Sequence, residues 1–275
     1  MSTQAEKAAV FAALHQQGCF VIPNPWDRGS ARLLAAMGFH ALTTTSAGYA
    51  RSLGVADYNA GRDHVLEHIR DLAPATDLPL AADLENGFGD DPETCAETIR
   101  LSAEAGLVGG SIEDATGDDV RPIYDMGHAA DRIRAAAEAA KALDFPFVLV
   151  ARCENYLHGR RDLKDTIARL QAYQEAGADV LYAPGISTAE EIRAVCQSVD
   201  RPVNVLGGLG AHPLSVQALA ALGVRRVSLG SLLHSEAMTA FVRAAEEVKA
   251  GGFGFVSGLI AGAEFDQLLE AGEAD

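Results

Sequence analysis

The chain has 275 residues, 48% of them hydrophobic, and a formal charge of −16 at pH 7. That length suits one large domain whose core needs no covalent staples, and the charge excludes the basic footprint of a nucleic-acid binder. Four scattered cysteines (Cys19, Cys95, Cys153, Cys196) with no CxxC pair speak for a reduced, cytoplasmic protein and against a disulfide scaffold or a zinc site. No basic-then-apolar leader opens the chain, and no apolar run is long enough to span a bilayer, so no membrane partner is expected.

Apolar, β-leaning runs fall at 19–23, 41–45, 78–83, 108–113, 145–152, 180–183, 202–206 and 226–229. Their near-continuous hydrophobicity implies burial on both faces, as in a parallel sheet. Helix-like stretches alternate with them at 29–37, 61–72, 92–105, 131–142, 163–176, 188–197, 213–222 and 232–250. Asp91-Pro92 reads as an N-cap followed by an N1 proline, and Ser187-Thr188-Ala189-Glu190 as a capping box. Gly38, Gly106, Gly177 and Gly223 stand where helices stop.

Eight βα units predict an α/β fold, a (β/α)8 TIM-type barrel over 1–275, with an additional C-terminal helical segment at 251–275. An open sheet is the alternative. Segment 114–128 is too long for a plain βα turn and is expected to act as a lid. The apolar tail after Lys249 packs either on its own subunit or on a neighbour.

A barrel gathers strand ends into one mouth, and here they carry charge. Asp83 and Glu85 stand two apart, so both can point to one side, and Glu113 ends the next strand. An oxygen-only set of this kind suits Mg2+, with Mn2+ as the alternative; the competing reading is helix capping or a solvated rim. Arg152 ends an otherwise apolar strand, where its fork suits a carboxylate or phosphonate; the competing reading is an internal ion pair with Glu154 or Glu113. Ser46-Ala47-Gly48 can cradle a carboxylate, and Asp57 lies in the next loop. No lysine (Lys7, Lys141, Lys164, Lys249) ends a strand, which removes the Schiff-base aldolase mechanism. Gly207-Gly208 and Gly230-Ser231 resemble a barrel phosphate site, although tight turns explain them equally well.

Together, Asn24-Pro25-Trp26-Asp27, Thr45-Ser46-Ala47-Gly48, Asp83-Leu84-Glu85-Asn86-Gly87-Phe88-Gly89, Ser111-Ile112-Glu113-Asp114 and Ala151-Arg152-Cys153-Glu154 resemble the isocitrate lyase/phosphoenolpyruvate mutase superfamily over nearly the whole chain. The resemblance implies Mg2+-dependent chemistry on 2-oxo acids, and homodimers or homotetramers that exchange a C-terminal helix. It assigns Asp83, Glu85 and Glu113 to the metal, Ser46, Ala47 and Gly48 to the oxo acid's carboxylate, Trp26 to the pocket wall, Arg152 to the anionic end and Asp57 to the loop aspartate. Asn204, on the seventh strand, joins the substrate-binding set; Asp57, Arg152 and Glu113 form the catalytic set.

Two departures stand out. Glu85 replaces the superfamily's second aspartate, and 114–128 lacks the Lys-Lys-Cys-Gly-His of the isocitrate lyases. A lyase acting on an oxaloacetate-like 2-oxo acid or dicarboxylate needs no lid cysteine and is the expected activity. A C–P bond enzyme is the first alternative, and a non-catalytic 2-oxo acid binding protein the second. A scaffolding barrel predicts neither binding nor turnover.

Overall fold

The computed structural model describes residues 2–210 and 212–273; residues 274 and 275 of the expected C-terminal segment lie outside it. Eight parallel strands run β1 (Phe20–Ile22), β2 (Leu42–Thr43), β3 (Leu80–Asp83), β4 (Gly109–Glu113), β5 (Val148–Arg152), β6 (Val180–Tyr182), β7 (Val203–Leu206) and β8 (Arg226–Ser228). Each lies inside a run predicted from its hydrophobicity. The ladder order is β1-β8-β7-β6-β5-β4-β3-β2. Among the described residues no ladder joins β1 to β2, but the Thr43 N–H donates to the Pro23 carbonyl at 3.1 Å across the seam. The sheet is therefore a nearly closed barrel.

Eleven α-helices accompany the strands among the described residues: α1 (Gln4–Leu14), α2 (Arg28–Ala36), α3 (Ser46–Ser52), α4 (Arg62–Leu72), α5 (Pro92–Glu104), α6 (Met126–Lys141), α7 (Leu163–Ala176), α8 (Ala189–Ser198), α9 (Val216–Ala221), α10 (Leu232–Lys249) and α11 (Gly262–Ala271). None is long and apolar enough to cross a membrane. Two cores result. Leu, Ile and Ala from the outer strand faces meet the helices. Inside the barrel, Val108, Val148, Val150 and Val180 pack under Phe11 of α1, which plugs the N-terminal end. Gly109 admits that plug, since a Cβ there would lie 2.7 Å from the Phe11 ring and 2.8 Å from the Val148 carbonyl.

Two local expectations need correction. The box at α8 is closed one residue later than predicted, by Thr188 and Glu191. Helix α6 starts at Met126 rather than 131, because its first turn is rooted in the lid segment. That segment is a folded hairpin, with an antiparallel bridge between Ala115 and Ile123. The Thr116 N–H donates to the Pro122 carbonyl at 2.9 Å and the Thr116 hydroxyl to the Arg121 carbonyl at 2.6 Å.

The C-terminal segment is helical. Helix α11 lies on α2 of the same chain, where Arg32 and Glu273 pair at 2.5 Å. Helix α10 buries only His234, and Met238, Phe241, Val242, Phe253, Leu259 and Ile260 of α10 and the tail stay exposed.

Candidate active site

Parallel strands all end at one rim, so β3, β4 and β5 bring Asp83, Glu113 and Arg152 together. Register fixes the last two, since Glu113 pairs directly with Arg152 across the ladder. The Arg152 guanidinium is a hub. Its Nη1 lies 3.3 Å from Asp83 Oδ2 and 3.2 Å from Glu113 Oε2, and its Nε donates to Glu154 Oε1. Its Nη2 makes no hydrogen bond among the described residues. Glu113 and Glu154 are almost fully buried. The internal ion pairs form here, and one edge of the fork is left over among the described residues.

Further acids crowd this hub. The Glu85 N–H donates to Asp83 Oδ1 at 3.2 Å, and Glu85 Oε1 is buried without a partner. Burial first, then Asp83 and Asp57, pushes the Glu85 carboxyl up to about 8. Burial and then Asp83 also raise Asp57, against hydrogen bonds from Tyr58 and Ser46. Burial opposes the charge on Arg152, but Glu113, Glu154 and Asp83 outweigh it and hold the guanidinium protonated. Among the described residues no three His, Cys, Asp or Glu side chains already converge as a metal site.

The Ser46 hydroxyl donates to Asp83 Oδ2 at 2.9 Å. Ser46-Ala47-Gly48 is not a turn, as the sequence suggested, but the first turn of α3. The Thr45 side chain caps it by accepting the Gly48 N–H at 3.2 Å. This leaves the N–H groups of Ser46 and Ala47 facing the helix start without an internal acceptor.

Beside the acids lies a cavity of about 710 Å³, lined among others by Asp57, Tyr58, Glu85, Phe88, Thr116 and His158. Backbone strain gathers there. Among the described residues the only non-glycine residues with left-handed φ are Tyr58 (64°), Glu85 (50°) and Phe88 (64°); all three line this cavity. Such conformations are unfavourable for bulky side chains and concentrate at functional sites.

Trp26 follows β1, and Asn204 lies buried within β7. Trp26 meets the His234 ring edge-on at 5.3 Å. Asn204 Nδ2 donates to Ser228 Oγ at 3.0 Å, and its Oδ1 is buried without a partner. Gly207 and Gly208 border a space of only about 10 Å³, room for one water and not for a phosphate. Cys153 is fully buried and its thiol is pushed well up, mainly by burial, so it is unreactive.

Sequence reasoning missed Tyr58, whose hydroxyl donates to Glu113 Oε1. A left-handed tyrosine leaves no trace in hydrophobic periodicity. It also missed the buried Arg132, whose Nη1 donates to the Glu113 carbonyl at 3.2 Å and whose guanidinium lies 4.2 Å from the centre of the Tyr124 ring. Arg132 sits in mid-helix, where an arginine reads as solvent-facing.

Known proteins share this architecture. A protein from Burkholderia cenocepacia J2315, described only at the level of lyase/mutase, has a crystal structure that superposes with a TM-score of 0.94 at 60% identity; the match covers 96% of this chain and 95% of that one. Phosphonopyruvate hydrolase, solved in complex with oxalate and Mg2+, superposes with a TM-score of 0.84 at 27% identity, over 96% of this chain and 95% of that one. The 2-methylisocitrate lyase of Escherichia coli K12 is 32% identical over 223 residues, 78% of this chain and 74% of the lyase. The family model for phosphoenolpyruvate phosphomutase matches residues 11–249. The chain is thus an enzyme of the phosphoenolpyruvate mutase family, within the isocitrate lyase/phosphoenolpyruvate mutase superfamily of carbon–carbon lyases and mutases.

Proposed function

We propose that the chain is a divalent-metal-dependent lyase that cleaves the carbon–carbon bond one carbon removed from the keto group of a short 2-oxo acid of the oxaloacetate type. One observation carries this reading: three carboxylates (Asp83, Glu113, Glu154) share one arginine, Glu85 and Asp57 lie near enough to feel the same charges, and Glu85 keeps a buried oxygen with no partner among the described residues. Burial pushes the carboxyls of Glu85, Glu113 and Glu154 toward the protonated form, and a divalent cation bound there would take the place of those protons. Oxygen-only donors fit Mg2+, which keeps several of its waters and so does not need a closed protein cage.

Asp83 and Glu85 would hold the ion, with Glu113 behind them through water. Bound there, Mg2+ would supply Lewis acidity toward a keto oxygen. The chain's own groups do the rest. Ser46 and the Ala47 N–H hold the carboxylate beside the keto group. Arg152 Nη2 takes the far carboxylate. The 115–123 hairpin excludes water, and Trp26 walls the pocket. Asp57, whose proton is retained more readily than that of an ordinary aspartate, returns a proton to the carbon from which the leaving group departs.

The reading is tested with oxaloacetate, isocitrate, methylisocitrate, phosphonopyruvate and phosphoenolpyruvate, each with Mg2+ and with chelator. Chelator-sensitive release of pyruvate from oxaloacetate is expected. Phosphate release from phosphonopyruvate would replace it with the C–P reading, and binding without turnover with a non-catalytic one.

The exposed apolar residues of α10 and of the segment before α11 support a second proposal, that this face packs on another copy of the chain. Sedimentation is expected to give a dimer or tetramer, and Phe241→Asp with Leu259→Asp to shift it toward monomer. A monomeric wild type would contradict this.

A further inference from the structure

Tyr58 is held in a costly conformation by contacts at both ends. Its φ of 64° is one that bulky residues rarely adopt. Its N–H donates to Asp57 Oδ1 at 3.1 Å, and its hydroxyl donates to Glu113 Oε1. The side chain lines the cavity under the hairpin, whereas Glu113 and Arg152 do not and lie behind it with side chains 2% and 15% exposed. Tyr58, 40% exposed, stands between the cavity and Glu113, lining the first with its ring and reaching the second with its hydroxyl. A phenol pinned this way is a wall, because swinging it aside breaks the bond to Glu113.

We propose that Tyr58 determines substrate size: its ring screens Glu113 and Arg152 from the hairpin cavity, admitting a short, unbranched 2-oxo acid and rejecting an acid with a third carboxylate arm. This rests on the function proposed above and specifies its substrate class. The phenol and the hydrogen bond make separable contributions. The ring provides the steric rejection, and the hydroxyl holds Glu113 in place. A merely structural tyrosine would change stability when replaced and leave ligand preference as it was.

The test is binding of two probes, oxalate and isocitrate, each with Mg2+, to wild type, Tyr58→Phe and Tyr58→Gly, by calorimetry. Glycine accepts the left-handed backbone without strain, so Tyr58→Gly keeps the loop foldable. It is expected to bind isocitrate about tenfold or more tighter relative to oxalate than wild type does, the scale at which one added group is discriminated in a pocket. Tyr58→Phe, which keeps the ring, should hold the wild-type ratio within about threefold. An isocitrate-to-oxalate ratio unchanged in Tyr58→Gly, with oxalate still bound, overturns the proposal alone. Failure of Mg2+ and oxalate to bind any of the three proteins overturns the site reading and this proposal with it.

Discussion

Arg152→Ala is expected to lower kcat/KM on the order of 10³-fold and stability by about 3–5 kcal/mol. The stability loss comes from three carboxylates, Asp83, Glu113 and Glu154, that share this one guanidinium. Two of them are almost completely buried, so removing the cation leaves charges that neither solvent nor protein can satisfy. Burial already raises Glu113 and Glu154 with Arg152 present; without it they keep their protons to still higher pH, so the loss should deepen as pH rises above the ordinary carboxylate range. The activity loss comes from the free edge of the fork. Arg152→Lys restores the charge without the planar geometry and should recover stability more than turnover. Urea denaturation and steady-state kinetics on the two variants measure both effects. If Arg152→Ala stays within about 1 kcal/mol of wild type, the guanidinium is not the hub described here.

Glu85→Gln is expected to change the pH dependence of both stability and metal binding. The Glu85 carboxyl sits at about 8 in the folded protein, against an ordinary value of 4.5. Between those two values the folded state holds a proton that the unfolded state has lost. Without metal, stability therefore falls as pH rises through that window, by at most about 1.4 kcal/mol per unit from this group. Glutamine removes the slope, so the metal-free variant should melt above wild type at pH 8. In wild type the metal must displace this proton, and Mg2+ affinity should rise by up to about tenfold per unit toward pH 8. In Glu85→Gln the affinity should be weaker and its pH dependence flatter. Melting curves in chelator and Mg2+ titrations at three pH values decide it; an unchanged slope in the variant would remove Glu85 from the metal's surroundings.

The barrel was legible because parallel strands buried on both faces are written as apolar runs, and all eight fell where hydrophobicity put them. Charged residues ending such runs, Asp83, Glu113 and Arg152, stood out for the same reason. What escaped depended on backbone conformation. Ser46-Ala47-Gly48 looked like a turn because serine and glycine are poor helix formers, yet the Thr45 cap starts α3 there. Helix α1 was missed because its apolar residues mark no clear face, and Phe11 and Ala8 are buried only by the barrel end they plug. The left-handed backbones of Tyr58 and Phe88 escaped because no sequence pattern announces a left-handed aromatic. The ring of acids was readable as candidate ligands, but the arrangement that places Arg152 among them comes from the β4–β5 register.

Calorimetric titration of Mg2+ into wild type and Asp83→Asn at pH 8, with oxalate present, tests the carboxylate mouth as a metal site most directly. One Mg2+ per wild-type chain is expected, with an affinity about 10–100-fold weaker in Asp83→Asn. No Mg2+ binding by wild type, or binding that Asp83→Asn leaves untouched, would contradict it.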